Sequence, residues 1–350
     1  MDLQGTSFIG AGRGSGGAGE YHAVNPVSGE EIDPAYLAEG EESVGAACNL
    51  AEEAFVDFRG RSGLERAEFL KAIADEIDAA EEEIVDRMTR ETALPEARCR
   101  MEKGRTCGQL RLFADLLEEG SWVDARIDHA DSGRSPVPKP DCRSMWRPMG
   151  PVLVFCASNF PLAYSVAGGD TASALASGCP VIVKAHGSHP GTAEIVATAV
   201  RKAVKTCGLH DGVFSVLFGS GRTIGQALVR NPAIKAVGFT GSRTGGRALM
   251  DAAAARPEPI PVWAEMSAIN PVFILPGALR ERGDAIAEGF VGSLTLGVGQ
   301  FCTNPGLVIL GGEGRSQFAE RIASLAGNAA PAAMLHKGIA EAYHGGLERE

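Results

Sequence analysis

The chain lacks most of the signatures that would tie it to a metal, a nucleic acid or a membrane. Its eight cysteines show no CxxC pair and no Cys/His cluster, which speaks against a zinc site and for reduced thiols rather than a disulfide framework. Basic residues are in deficit: 33 Lys and Arg against 44 Asp and Glu give a formal charge of −11. A nucleic-acid partner, which needs a basic face, is therefore not expected. No apolar run approaches the roughly 20 uninterrupted residues of a membrane-spanning helix. The least charged stretch, Arg147 to Lys184, carries one charge at Asp170 and is broken by Gly150, Pro151, Pro161, Gly168 and Pro180, as a buried α/β core would be. The N-terminus shows no basic region followed by an apolar core, so no secretory signal is visible and a cytoplasmic location is expected. The glycine fingerprint GxGxxG is also missing from the first strand-to-helix turn.

What is present is an ordered alternation of elements in a chain of 350 residues, long enough for two domains. Gly10 to Gly19 is a glycine-serine run with little to bury, and residues 1–20 read as a mobile tail. Ala23 to Glu30 reads as a turn between two strand pieces. From Glu42 to Glu119 the pattern is helical: Ser62 and Glu65 form a capping-box signature, and Leu70, Ile73, Ile77, Ile84 and Met88 follow at helical spacing. Pro95 divides this stretch. Between Trp122 and Trp146, alternation followed by Pro136, Pro138 and Pro140 suggests a projecting hairpin.

From Pro151 short apolar runs alternate with helical segments. The runs are Val152–Cys156, Val181–Lys184, Val213–Phe218, Ile234–Thr240 and Ile260–Glu265. Five strands with helical crossovers predict an α/β fold with a doubly wound, parallel, Rossmann-like sheet. A strand at Asn270–Pro276, a helix at Ala278–Val298 and a strand at Gly306–Gly311 begin a second α/β domain. The expected organisation is thus a tail over 1–20, a nucleotide-binding domain over 21–119 and 148–262, a hairpin arm over 120–147, and a second domain over 263–350.

Three short segments carry chemistry. Gly299-Gln300-Phe301-Cys302-Thr303-Asn304-Pro305 presents one cysteine after a helical pattern, between glycine and proline, beside amide and hydroxyl donors. That setting suits a nucleophile, although a free cysteine is more often a small buried hydrophobe. Ala157-Ser158-Asn159-Phe160-Pro161 follows the first strand of the sheet, where Asn159 is either a helix cap or a side-chain donor at the strand's carboxyl end. Trp263-Ala264-Glu265-Met266-Ser267 ends an apolar strand on a carboxylate that is either a salt-bridged terminus or a base. Two glycine loops sit between strands and helices: Gly219-Ser220-Gly221-Arg222-Thr223-Ile224-Gly225 and Phe239-Thr240-Gly241-Ser242-Arg243-Thr244-Gly245-Gly246. Each is a tight turn or a site where helix N-terminal amides approach a pyrophosphate, and their repetition on adjacent units favours the second reading.

Taken together, these ordered motifs resemble the aldehyde dehydrogenase superfamily, in particular its NADP-linked branch with α-ketoglutaric semialdehyde and long-chain aldehyde dehydrogenases. The resemblance runs from about Tyr21 to the end of the chain. It implies Cys302 as nucleophile, Asn159 and the Cys302 backbone N–H as oxyanion donors, and Glu265 as general base. Phe160 and Gln300 would line the substrate pocket. Thiolate addition to an aldehyde makes a tetrahedral alkoxide that can release hydride, leaving a thioester for water to hydrolyse. The resemblance further implies cofactor contacts from Lys184, His186, Ser158, Gly221, Gly225, Phe239, Gly241, Ser242 and Gly246, and a homodimer or homotetramer joined by the hairpin arm.

The chain departs from the family pattern in several places. Ser158 stands where tryptophan is usual, and Met266-Ser267 where Leu-Gly is usual. Gly187 stands where NAD-type members carry a ribose-binding glutamate. Its loss removes repulsion toward a 2′-phosphate, so NADP is expected, with NAD possible. The later Glu-x-Phe-Gly-Pro motif is absent, and the second domain is expected to be C-terminally incomplete. The expected reaction is oxidation of α-ketoglutaric semialdehyde to 2-oxoglutarate. The alternatives are a long-chain aldehyde substrate or a catalytically silent remnant.

Overall fold

The computed structural model describes residues 2–348. Its first strands, β1 (Phe8–Ile9) and β2 (Gly12–Arg13), pair antiparallel, and Phe8 pairs in turn with Val216. The expected mobile tail over 1–20 is therefore corrected: Phe8 is fully buried and the segment extends the main sheet. Side chains remote in sequence hold it. The buried Glu194 carboxylate accepts from the Gln4 and Gly5 amides at 3.1 Å each and pairs with Arg13 at 2.8 Å, while Ser215 Oγ accepts from the Gly10 amide at 3.1 Å. Gly10, at φ +55°, turns the backbone tightly against Leu50 and Asp211, where a Cβ would not fit.

Strands β3 (Gly17–Val24) and β4 (Glu31–Glu39) form a separate antiparallel pair. The helical stretch that follows divides into α1 (Glu41–Phe58), α2 (Gly63–Ala79), α3 (Glu81–Thr92) and α4 (Glu96–Glu119). The capping box forms as expected: Ser62 Oγ accepts from the Glu65 amide at 3.2 Å, and the Ser62 amide donates to the Glu65 carboxylate at 2.8 Å. Leu70, Ile73, Ile77, Ile84 and Met88 are fully buried in the main core. Strands β5 (Arg126–Asp128) and β6 (Cys142–Ser144) make an exposed antiparallel hairpin.

The body of the sheet follows in βα units: β7 (Val152–Phe155), α5 (Gly169–Ala176), β8 (Val181–Lys184), α6 (Pro190–Thr206), β9 (Phe214–Leu217), α7 (Gln226–Arg230), β10 (Ala236–Thr240), α8 (Arg243–Ala254) and β11 (Val262–Glu265). Seven strands lie in the order β11-β10-β7-β8-β9-β1-β2, with β7 to β11 parallel. Chain order runs outward from β7 in one direction through β8 and β9, and in the other through β10 and β11. The crevice beyond the carboxyl ends of β7 and β10 is therefore the topological switch point, where doubly wound folds bind ligands.

Beyond it, β12 (Pro271–Ile274) and β13 (Leu307–Leu310) pair in parallel, covered by α9 (Pro276–Thr295) and α10 (Arg315–Gly327) around Ile274, Leu279, Ala287 and Phe318. Helix α11 (Lys337–Leu347) ends the described chain. The expected boundary at 263 shifts, because Trp263, Ala264 and Glu265 register with Gly238, Phe239 and Thr240 and so complete the first sheet. Among the described residues no helix is long and apolar enough to cross a membrane.

Candidate active site

The chain leaves α9 at Thr295 and turns sharply through Gly297, Val298 and Gly299, whose φ values are +59°, +59° and +71°. Glycine tolerates this conformation, whereas the branched Val298 is strained by it and persists only if neighbours hold the turn. Two asparagines do so. Asn304 Nδ2 donates to the Leu294 and Gly299 carbonyls at 3.1 and 2.9 Å, and Asn270 Nδ2 donates to the Cys302 and Asn304 carbonyls at 2.7 and 2.9 Å. Cys302 is left exposed on a loop whose backbone is pinned on both sides. The buried-hydrophobe alternative does not apply to it.

Asn159 lies just past β7 and is half-buried. Its Nδ2 donates to the Gln300 carbonyl at 2.7 Å, tying the end of the sheet to the cysteine loop. The helix-cap alternative fails, since the next regular helix, α5, begins only at Gly169. Gln300 is itself fixed, with Nε2 donating to the Gly297 carbonyl at 2.9 Å and Oε1 accepting from the Leu335 amide at 3.0 Å. Glu265 closes β11 opposite Thr240 with its side chain exposed, and it forms no ion pair among the described residues. Its negative charge is felt by Asp170: burial first, then Glu265, pushes the Asp170 carboxyl above the usual range.

Cys302, Asn159 and Glu265 line a single cavity of about 1270 Å³, together with Ser158, Phe160, Gln300, Phe301, Thr240, Gly241 and Ser242. A thiol, a carboxamide and a carboxylate from three remote segments thus face one space at the switch point.

The second glycine loop opens onto the same cavity. Ser242 caps α8 by accepting from the Gly245 amide at 3.2 Å. A Cβ at Gly241 would meet the Phe239 ring at 2.7 Å, and one at Gly246 would meet Met266 Sδ at 2.6 Å, so a side chain at either position would have to displace a neighbour. The first-turn amides of α8 therefore stand where a pyrophosphate could be received. Of the expected cofactor residues, Ser158, Gly241 and Ser242 line this cavity, whereas Lys184, His186, Gly221, Gly225, Phe239 and Gly246 do not. Gly225 lies against the Phe155 ring, 2.8 Å from where its Cβ would be, which accounts for it as a packing glycine, while Gly221 faces open space. Lys184 ends β8 half-buried, its ammonium pKa lowered by burial. His186 stacks on His189 at 5.4 Å and its Nδ1 accepts from the Ser188 amide at 3.2 Å. Burial, then the neighbouring His189, Lys184 and His336, hold it well below the usual histidine range. A neutral imidazole can donate a hydrogen bond to a phosphate but supplies no charge, so of this pair only Lys184 offers a cation. Among the described residues no cluster of His, Cys, Asp and Glu is arranged to hold a metal ion.

A sequence profile of the aldehyde dehydrogenase family matches residues 14–332. The chain belongs to the aldehyde dehydrogenase family. It is 55% identical over 349 residues to alpha-ketoglutaric semialdehyde dehydrogenase 2 of Azospirillum brasilense, covering 99% of this chain and 66% of the relative. It is 41% identical over 345 residues to alpha-ketoglutaric semialdehyde dehydrogenase of Acinetobacter baylyi, covering 98% of this chain and 65% of that one. The chain thus spans about two thirds of the length of these curated relatives. The crystal structure of an aldehyde dehydrogenase from Brucella melitensis biovar abortus 2308 superposes with a TM-score of 0.80 at 25% identity, over 92% of this chain and 63% of that one.

Sequence reasoning missed several residues that surround this candidate site. Asn270 lies 32 residues before the carbonyl it holds and carries no local signal. Asp170 was visible only as an isolated charge in an apolar stretch. Arg98, which packs against Phe160 and Phe301, sits in a run of ordinary helix charges.

Proposed function

We propose that this chain carries the nucleotide-binding and cysteine-bearing parts of an NADP-dependent aldehyde dehydrogenase that oxidises α-ketoglutaric semialdehyde to 2-oxoglutarate, with NAD as a possible second cofactor. The observation that carries this reading is the convergence of Cys302, Asn159 and Glu265 on one cavity beside the α8 N-terminus. In this mechanism the Cys302 thiolate adds to the aldehyde carbon. Asn159 and the Cys302 backbone N–H stabilise the alkoxide; one such donor lowers the barrier by about 3–4 kcal/mol. A nicotinamide bound at the cavity would accept the hydride. Glu265, solvated and unpaired, then takes a proton from the water that hydrolyses the thioester on Cys302.

The substrate class is supported by the two relatives above, whose names specify α-ketoglutaric semialdehyde. The NADP reading is supported by Gly187, which leaves an exposed position without a carboxylate in the β8–α6 connection, three residues past Lys184, and by Lys184 itself. The exposed β5–β6 hairpin, with Ile127, Val137 and Trp146 open to solvent, supports assembly into a homodimer or homotetramer. Eight cysteines without a disulfide support a reducing, cytoplasmic setting.

The test is NADPH formation from purified protein and α-ketoglutaric semialdehyde, read at 340 nm beside Cys302→Ala. Wild-type turnover lost in the variant is the expected result. Equal signals from both would end the assignment of Cys302, and no signal from either would end the assignment of activity to this chain.

A further inference from the structure

We propose that Glu102 is a positioning residue for the oxyanion donor: its carboxylate, reaching from α4, fixes the turn that presents Asn159 to the Cys302 loop. This deepens the reading above and rests on it. Between β7 and α5 the chain has no regular element, and the Ala157 amide donates to the Tyr164 carbonyl at 2.8 Å, closing a turn that contains Asn159. Glu102 Oε1 accepts from two amides of this turn, those of Leu162 and Ala163, at 2.9 Å each. Its Oε2 accepts from Arg98 Nη1, one helical turn back, at 2.6 Å. Glu102 is 1% exposed, so its charge is compensated by these donors rather than by bulk water, and losing one leaves a buried group unpaired.

The anchor is coupled to Asn159 by the stiffness of the intervening chain. Pro161 lies between Phe160 and Leu162. Its ring fixes its own φ and disfavours helical backbone at Phe160, so a shift of the Leu162 amide is carried to Asn159 rather than absorbed. The turn then meets the cysteine loop through the Asn159 Nδ2 bond to the Gln300 carbonyl at 2.7 Å and the edge-to-face contact of Phe160 with Phe301 at 5.1 Å. Asn159, Phe160, Gln300 and Phe301 line the cavity, whereas Glu102 does not. Glu102 therefore acts through Asn159, and misplacing a reacting group by about 1 Å can cost about 10²-fold in rate.

The competing role is purely structural, with Glu102 compensating Arg98 and steadying α4. Two substitutions separate reach from charge. Glu102→Asp keeps the charge but draws the carboxylate back by one methylene from the two amides. Glu102→Gln keeps an oxygen for the amides but loses the charge facing Arg98. The expected kcat is lowered about 30-fold or more in the aspartate variant and about three- to tenfold in the glutamine variant, with the KM for the aldehyde within about twofold of wild type. A cycle with Asn159→Ala supplies the deciding readout. Once Asn159 is gone, either Glu102 substitution should lower kcat by less than about twofold further, whereas loss of folded protein would act equally in both backgrounds. The rate of Cys302 alkylation by iodoacetamide, which needs no turnover, should shift in Glu102→Asp by about threefold or more in the same direction as in Asn159→Ala, with no further shift in the double variant. Wild-type kcat in the aspartate variant, a larger loss in the glutamine variant, or losses that multiply in full with Asn159→Ala would overturn the proposal. If the aspartate variant does not fold, the glutamine variant decides, and wild-type kcat or full multiplication there overturns it equally. A chain inactive with every aldehyde would defeat the proposed reaction; the alkylation rates then decide the role of Glu102, which an unshifted rate or a fully multiplied one would end.

Discussion

Asn159 donates its Nδ2 hydrogen across 141 positions of sequence to the carbonyl of Gln300, at 2.7 Å. This bond joins the carboxyl end of β7 to the loop that bears Cys302, and both residues line the same cavity. An amide nitrogen carries two hydrogens, so the second remains for an alkoxide formed at Cys302.

Asn159→Ala should therefore act twice, removing an oxyanion donor and freeing the Gln300 carbonyl. The expected loss in kcat is 10²- to 10³-fold. Alkylation of Cys302 should change as the loop loosens. Steady-state kinetics and iodoacetamide labelling of the same preparation check this, and a variant within threefold of wild type on both would refute the role.

Glu265→Gln should separate the two halves of the reaction. Thiolate addition and hydride release do not require the carboxylate in this scheme, whereas hydrolysis of the thioester does. A pre-steady-state burst of about one NADPH per site, followed by turnover slowed 10²-fold or more, is the expected trace. Disappearance of the burst together with turnover would place Glu265 in an earlier step.

Gly246→Val should injure cofactor binding more than folding. A Cβ there meets Met266 Sδ at 2.6 Å, and Met266 is the neighbour of Glu265. Methionine is flexible and can move aside, so the cost is expected to be about 1–3 kcal/mol of strain. Displacement at the start of α8 should raise the KM for NADP at least tenfold. Titration by NADPH fluorescence enhancement checks it; unchanged affinity would remove this loop from the cofactor site.

Acid should destabilise the protein through its stacked histidines. His189 Nε2 lies 2.8 Å from the Ala157 carbonyl, which can only accept, so the proton sits on Nε2 and the buried Nδ1 is left bare. Burial lowers the pKa of His189, and also that of His186 and His336. With the folded value below the unfolded one, the unfolded chain binds protons first as pH falls. Stability is then full above the ordinary value of about 6.5 and declines below it, by up to about 1.4 kcal/mol per pH unit for each histidine. Urea denaturation at pH 7.5 and 5.5 should show this fall, and His189→Gln should lessen it. Equal pH dependence in the two proteins would exclude His189.

The local rules were legible in the chain itself. The Ser62–Glu65 capping box, the stripe from Leu70 to Met88 and the βα alternation after Pro151 depend on near neighbours, and the helices and parallel strands appear where those patterns place them. The three candidate groups that meet in the cavity were also singled out by short segments: a cysteine between glycine and proline, an asparagine after the first strand and a glutamate at a strand end. Which glycine loop faces the cavity was not, since a packing glycine such as Gly225 and one beside a helix N-terminus such as Gly241 read alike until Phe155 and Ser242 are in place. The N-terminal segment was misread for the same reason: its acceptors, Glu194 and Ser215, lie about 190 to 205 positions away. Composition thus determined the elements and the candidate chemistry, whereas the pinning of the Cys302 loop by Asn270 and the burial of Phe8 were decided only by folding. Hydrogen bonds and ring contacts depend on distances in space, and separation along the chain carries no record of them.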